Sequence, residues 1–186
     1  FINFYNNHVN VLTGQLNPRG FVSPVADAAM NFYRYKYLGS FWEDGNEIHD
    51  IEVIPRRKFE PLFTGNIRIM EGSWRIHSLD LMLSKTAQLE ILDTLQIRQT
   101  QVQVTPQVWR TKDQIIRFNF NQFGLKANGD FLNVYSQYNL APNFPANYFN
   151  KTLVKYDTAV NKRSKTYWDS IRPVPLAEEE IKDFKV

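Results

Sequence analysis

The chain has 186 residues, 43% of them hydrophobic and 22% charged, which suits one globular domain with a buried core. Its net charge of +3 is spread along the chain, not gathered on one segment, which argues against a nucleic-acid interface. Without cysteine there are no disulfides or thiolate metal sites, and no apolar run approaches the ~20 residues of a membrane-spanning helix. The start at Phe1, with no charged or apolar leader, is expected of a segment taken from a longer polypeptide.

Residues Ile2 to Leu12 alternate as a first strand does, and Asn17-Pro-Arg-Gly20 reads as the turn that ends it. Ser23-Pro24 then offers a capping hydroxyl followed by proline at the first helical position. With Val25, Ala28, Ala29 and Phe32 on one stripe, the spacing predicts a short helix over about 24–32.

From Tyr33 the period changes to two. Tyr33-Arg-Tyr35-Lys-Tyr37 leads a strand to Trp42, Glu43-Asp-Gly45-Asn makes a hairpin turn, and Ile48 to Ile54 returns. Pro55 and Pro61 bracket a loop carrying Arg56, Arg57 and Lys58. Leu62 to Met70 and Trp74 to Ser84 form the next hairpin, with a one-residue slip between Ile76 and Leu79 that marks a β-bulge. Lys85 to Leu92 is a short helix or a loop. Strands follow over Leu95 to Val104, Val108 to Phe120 and Leu125 to Leu140, with Asn128-Gly129 read as a bulge or turn.

Beyond Ala141 the prolines and asparagines signal loop. Val160, Ser164, Tyr167, Trp168 and Ile171 then share a helical face that Asp157 caps and Pro173 ends. Glu178-Glu-Glu180 opens a last short helix, where negative charge suits the dipole. The expected fold is α+β and mainly β, a curved antiparallel sheet or half-barrel with a short helix on its N-terminal side and helices at its C-terminus. One domain spans 1–186, β-rich over 1–140, with a loop and helical tail over 141–186.

Chemistry is sparse along this framework. The histidines His8, His49 and His77 lie far apart without metal-ligand spacing, so no metal and no cofactor is expected. His77, Ser78 and Asp80 have the residue types of a hydrolytic triad, but neighbours on a strand face opposite ways. No catalytic residue is assigned, and an enzyme is not expected. The basic runs at 56–58 and 162–165 read as solvated surface.

The aromatic residues Phe41, Trp42, Trp74, Trp109, Phe118 and Phe120 leave two arrangements open. They fill an ordinary core, or they line an apolar cavity inside the curved sheet, as in half-barrels that carry lipids or peptides.

Several strings together resemble a known family: Phe21-Val-Ser-Pro24, Phe32-Tyr-Arg-Tyr-Lys36, Ile51-Glu-Val-Ile-Pro-Arg56, Gly72-Ser-Trp-Arg-Ile76, Leu92-Asp-Thr-Leu95 and Trp168-Asp-Ser-Ile-Arg-Pro-Val-Pro-Leu176. They are similar to the uncharacterised central region of large Bacteroidetes outer-membrane proteins. There a carboxypeptidase-regulatory-like domain precedes the region and an outer-membrane β-barrel follows it. That resemblance implies a periplasmic module tethered to the outer membrane, touching the membrane only through its neighbours. It brings no catalytic residues. A looser pattern, Ile51-Glu-Val-Ile-Pro-Arg56 followed by two alternating strands, resembles the lipoprotein-carrier half-barrel. The aromatic-rich sheet, taken with the outer-membrane context of the first resemblance, leads to the expectation of a binding module for a lipid, a lipoprotein or an outer-membrane client, the alternative being a solid-cored spacer or docking domain beside the barrel with no ligand. Thr94, Thr158 and Ser170 each follow an aspartate and precede an apolar residue, resembling Bacteroidetes O-glycosylation sites.

Overall fold

The computed structural model describes residues 2–11, 17–89, 91–122, 124–146, 148–149 and 158–183, with Gln122, Asn161 and Asp183 described by backbone alone. By their contacts the residues form two compact units, Phe1–Tyr138 and Asn139–Val186.

In the first unit a seven-stranded antiparallel sheet runs as a simple meander. Two short strands, β1 (His8–Val9) and β2 (Phe21–Val22), pair with each other outside it, and one helical turn, α1 (Ala29–Phe32), leads in. The meander comprises β3 (Tyr33–Glu43), β4 (Asn46–Pro55), β5 (Thr64–Met70), β6 (Ile76–Ser84), β7 (Thr94–Thr105), β8 (Val108–Gln122) and β9 (Leu125–Val134). Strand order equals chain order, and the sheet is not closed, so β3 and β9 are its edges.

The two-residue alternation sorts the sheet's faces as the period requires. Registered partners place Val53, Gly65, Leu81, Ile97, Ile116 and Phe131 in one row across the sheet. On the opposite face Asp50 meets Arg68 at 3.6 Å and Asn66 at 3.0 Å, while Asp80 meets Arg98 at 3.2 Å and Gln96 at 2.6 Å. One face is apolar and the other carries a charged ladder.

The N-terminal segment covers the apolar face. Ile2, Phe4, Val9, Val11, Phe21, Val22 and Ala29 are buried in one cluster with Leu79, Leu81, Leu95 and Ile97. Most of this segment is not strand, so its carbonyls lack a ladder and need donors from side chains. Gln99 donates from Nε2 to the Ile2 carbonyl at 2.7 Å, the Ser23 hydroxyl to the Phe4 carbonyl at 2.5 Å, and the Tyr33 hydroxyl to the Val22 carbonyl at 2.5 Å. Tyr33 Oη also accepts from the Phe63 N–H at 3.0 Å, and burial raises its pKa far above the usual tyrosine value. The cover is pinned as well as packed.

Four expectations change here, and the first is that the strand read over Leu125 to Leu140 ends at Val134, as β9. The strand read over Ile2 to Leu12 shortens to β1, with Leu12 itself outside the described residues. The helix read over 24–32 is one turn, because the Ser23 hydroxyl accepts from the N–H of Val25, two residues on, at 3.2 Å. Three successive i to i+3 backbone bonds, from Ser23 to Asn31, then replace helical ones. Asn128-Gly129 is neither bulge nor turn: both pair in register with Asn119 and Phe118. Its glycine is there because a Cβ would lie 2.7 Å from the Phe118 ring.

Other expectations hold in whole or in part. The slip between Ile76 and Leu79 is a bulge, with Ile69 opposite Ile76, Arg68 opposite Ser78, and His77 the extra residue. Within Lys85 to Leu92 a 3-10 turn forms over Lys85–Ala87, and the other described residues are loop. In the second unit, α2 (Lys165–Ile171) is capped by the Ser164 hydroxyl, which accepts from Tyr167 N–H at 3.2 Å. The helix read from Val160 thus begins only at Lys165, Val160 lying in a separate 3-10 turn (Val160–Lys162), and the expected cap, Asp157, lies outside the described residues. Glu178 to Glu180 occupy the first turn of α3 (Glu178–Asp183), and Glu180 Oε2 accepts from the Ala177 N–H at 2.8 Å.

Candidate docking surface

A meander puts alternate hairpins at one end of a sheet. The β3–β4 turn at Asp44-Gly45, the β5–β6 turn at Glu71 to Arg75 and the β7–β8 turn at Pro106-Gln107 therefore share an end. Each carries a tryptophan: Trp42 near the end of β3, Trp74 within the second turn and Trp109 at the start of β8.

Trp42 is 72% and Trp74 69% exposed, and Phe41, the residue before Trp42 on β3, is 38% exposed. Trp74 has φ +53°, a left-handed conformation that a bulky side chain adopts at a cost. The turn holds it there through Trp74 N–H donating to the Met70 carbonyl at 3.0 Å, after Gly72 at φ +73°. An exposed ring on an unfavourable backbone is not explained by core packing.

Cross-links fix the three hairpins relative to one another. His49 Nε2 lies 2.6 Å from Glu71 Oε2, the Glu71 N–H donates to the Glu47 carbonyl at 2.9 Å, and Arg75 donates to the Gln107 carbonyl at 3.0 Å. His77 Nε2 approaches Glu43 Oε2 to 3.9 Å, joining β6 to β3. Three places apart in a flat sheet, those backbones would stand ~14 Å from each other. The contact therefore means that the sheet curls at this end.

The six aromatic residues picked out in the sequence are not gathered around one cavity. Trp109 lines an open cleft of about 310 Å³ with Ile2, Tyr5, Gln99 and Thr111. Phe118 lines another, of about 420 Å³, toward the opposite end of the sheet with Arg117, Gly129 and Asp130. Phe118 and Phe120 are half-buried against the core, whereas Phe41, Trp42 and Trp74 point outward. The tryptophans are visible in the sequence, but their shared end follows only from strand order.

The triad-like residues separate. His77 turns to Glu43, and Asp80 is taken by Arg98 and Gln96. Among the described residues no three of His, Cys, Asp and Glu come together. Of the glycosylation candidates, Thr94 Oγ1 accepts from Asn119 Nδ2 at 2.7 Å, and the Ser170 hydroxyl donates to the Tyr167 carbonyl at 2.7 Å. Thr158 is exposed.

Among family models, the one described as a family of unknown function (DUF5686) matches residues 1–138, which are also the first compact unit. Every string of the sequence resemblance except Trp168 to Leu176 lies within that match. No curated protein and no solved structure matches the chain.

Proposed function

Because the chain belongs to the DUF5686 family, whose function is unknown, we propose its role from the site alone: a non-catalytic docking module. In this reading it works in the periplasm beside an outer-membrane barrel of the same polypeptide, as the sequence resemblance implies. The hairpin end, with Trp42 and Trp74, meets that neighbour. The observation that carries the reading is the contrast between the two aromatic populations. The apolar face, where a half-barrel would hold lipid, is occupied by the N-terminal segment, while two tryptophans stand out into solvent on cross-linked turns. Exposed tryptophan on a rigid support is the composition of a binding hot spot.

The test is a titration of the purified chain against the flanking barrel in detergent micelles. Trp42→Ala with Trp74→Ala should weaken binding about thirty-fold or more while leaving the chain's melting temperature within error. Unchanged affinity would sink the docking role. Native mass spectrometry of the purified chain separates this reading from a lipid carrier. A lipid of defined mass, retained in stoichiometric amount, would replace docking with carriage as the module's function.

A further inference from the structure

We infer that β9 is a self-complementary edge through which two copies of this chain join into one continuous sheet. The surface is separate from the hairpin end, and the inference does not depend on the docking reading.

Free edge strands are blunted in most proteins by bulges, proline or short length. β9 has no bulge and no proline and runs ten residues, and its two charges, Lys126 and Asp130, are of opposite sign. Its ten residues pair with β8 without a shift, from Asp113 opposite Val134 to Gln122 opposite Leu125. Among the described residues no strand pairs with its outer side. Leu125, Phe131, Leu132 and Val134 are all exposed along it.

What identifies the occupant is the order of side chains around Asn128. The segment Leu125-Lys-Ala-Asn128-Gly-Asp-Phe131 reads outward from Asn128 as small, charged, apolar in both directions, with opposite charges on the two sides. A two-fold axis through Asn128 sets one copy antiparallel to the other. Lys126 of each then lies opposite Asp130 of its mate, Leu125 opposite Phe131, and Ala127 opposite Gly129. An isologous contact repeats each pairing twice, so both ion pairs form together.

Alternative registers do worse. Because cross-strand partners share a face, a symmetric antiparallel pair can slip only in steps that keep each face together. Centring the axis on Lys126 or on Asp130 sets like charges opposite each other. Centring it on Ala127 or Gly129 leaves Lys126 or Asp130 against an uncharged residue. Only the axis at Asn128 pairs both charges.

Sedimentation velocity on the full 186-residue chain should show a monomer–dimer equilibrium. Lys126→Asp alone and Asp130→Lys alone each face like charge with like charge, and each should raise the dimer Kd about ten-fold or more. The double variant K126D/D130K should restore dimerisation. An equimolar mixture of the two single variants should form the heterodimer in preference to either homodimer. Asn128→Cys supplies a measurement that needs no loss of binding. On the axis the two Cβ atoms lie within about 5 Å, so in a chain with no other cysteine it should oxidise to a covalent dimer. Lys36→Cys, on the opposite edge, should form no covalent dimer under the same oxidant. A wild-type chain that stays monomeric at millimolar concentration with no Asn128→Cys cross-link would overturn the inference. So would a dimer indifferent to both charge reversals.

Discussion

The same row of side chains crosses the whole sheet, yet its two ends have different fates. Val53, Leu81 and Ile97 are fully buried beneath the N-terminal segment, whereas Phe131, in register with them on β9, is 53% exposed. Alternation is equally clean in both halves. The difference lies in the cover: side-chain donors from Gln99, Ser23 and Tyr33 hold it over β3 to β7, and buried residues of this face end at β8 with Ile116. A two-residue period specifies which face is apolar. It does not specify whether that face becomes a core.

The sharpest break in this comparison comes from truncating the row at its two ends. Leu81→Ala leaves a cavity under the cover and should cost about 2–5 kcal/mol in urea unfolding. Phe131→Ala should cost no more than about 1 kcal/mol in the monomer. Equal losses would mean that β9 is packed as tightly as β6. Next comes Gly65→Ala. Gly65 sits at φ +134°, and a Cβ there would lie 2.2 Å from the Asp80 carbonyl oxygen of the adjoining strand. Backbone cannot step aside as a side-chain tip can, so a loss of about 2–4 kcal/mol is expected from strain and overpacking.

Much of this was legible in the sequence because a meander is built from local signals. Glu43-Asp-Gly45-Asn, Pro55, Gly72 and Thr105-Pro106 each mark a strand end, and the slip at His77 betrayed its bulge. The segment before Tyr33 is less legible for a physical reason. Its apolar residues are spaced to meet the sheet, not one another, and its backbone is satisfied by Gln99 and Tyr33, whose roles depend on contacts 97 and 11 residues away in sequence. Asn128-Gly129 misled because turn chemistry and a glycine under an aromatic ring look alike in sequence. The aromatic site residues were visible as a composition. Their division into hairpin-end tryptophans and half-buried Phe118 and Phe120 needed the third dimension.

The cover's attachment is tested by Tyr33→Phe. Removing the hydroxyl leaves the Val22 carbonyl without its donor and the Phe63 N–H without its acceptor, for a loss of about 1–3 kcal/mol. The same hydroxyls make the covered half sensitive to alkali. Burial raises Tyr33 and pushes Tyr35 up to about 12, partly opposed at Tyr35 by Arg56. The folded chain thus keeps protons that the unfolded chain releases above about 10, the ordinary tyrosine value. Stability should be level below that pH and fall between 10 and 12. Tyr35→Phe should flatten the slope of denaturation midpoint against pH. An unchanged slope would mean that Tyr35 ionises as freely in the fold as outside it.

Gly129→Ala is the smallest effect expected and the one that probes the bare half most closely. A Cβ at Gly129 would meet the Phe118 ring at 2.7 Å, a closer approach than side chains tolerate. Unlike the Asp80 carbonyl beside Gly65, this obstacle is the far end of a side chain, half-buried and stacked on exposed Phe131 at 5.9 Å between ring centroids. The ring can swing out, and replacing glycine with alanine restricts the unfolded chain, an opposing gain of about 0.4–1 kcal/mol. The two contributions should nearly cancel, leaving dilute-solution stability within about 0.5 kcal/mol of wild type. Concentration then separates the monomer from the joined sheet. In the dimer, Gly129 faces Ala127 of the mate and Phe118 loses its room to move, so Gly129→Ala should grow costlier as protein concentration rises. A cost that is large in dilute solution would show instead that Phe118 is already fixed in the single chain, and that the bare half is less bare than its exposure implies.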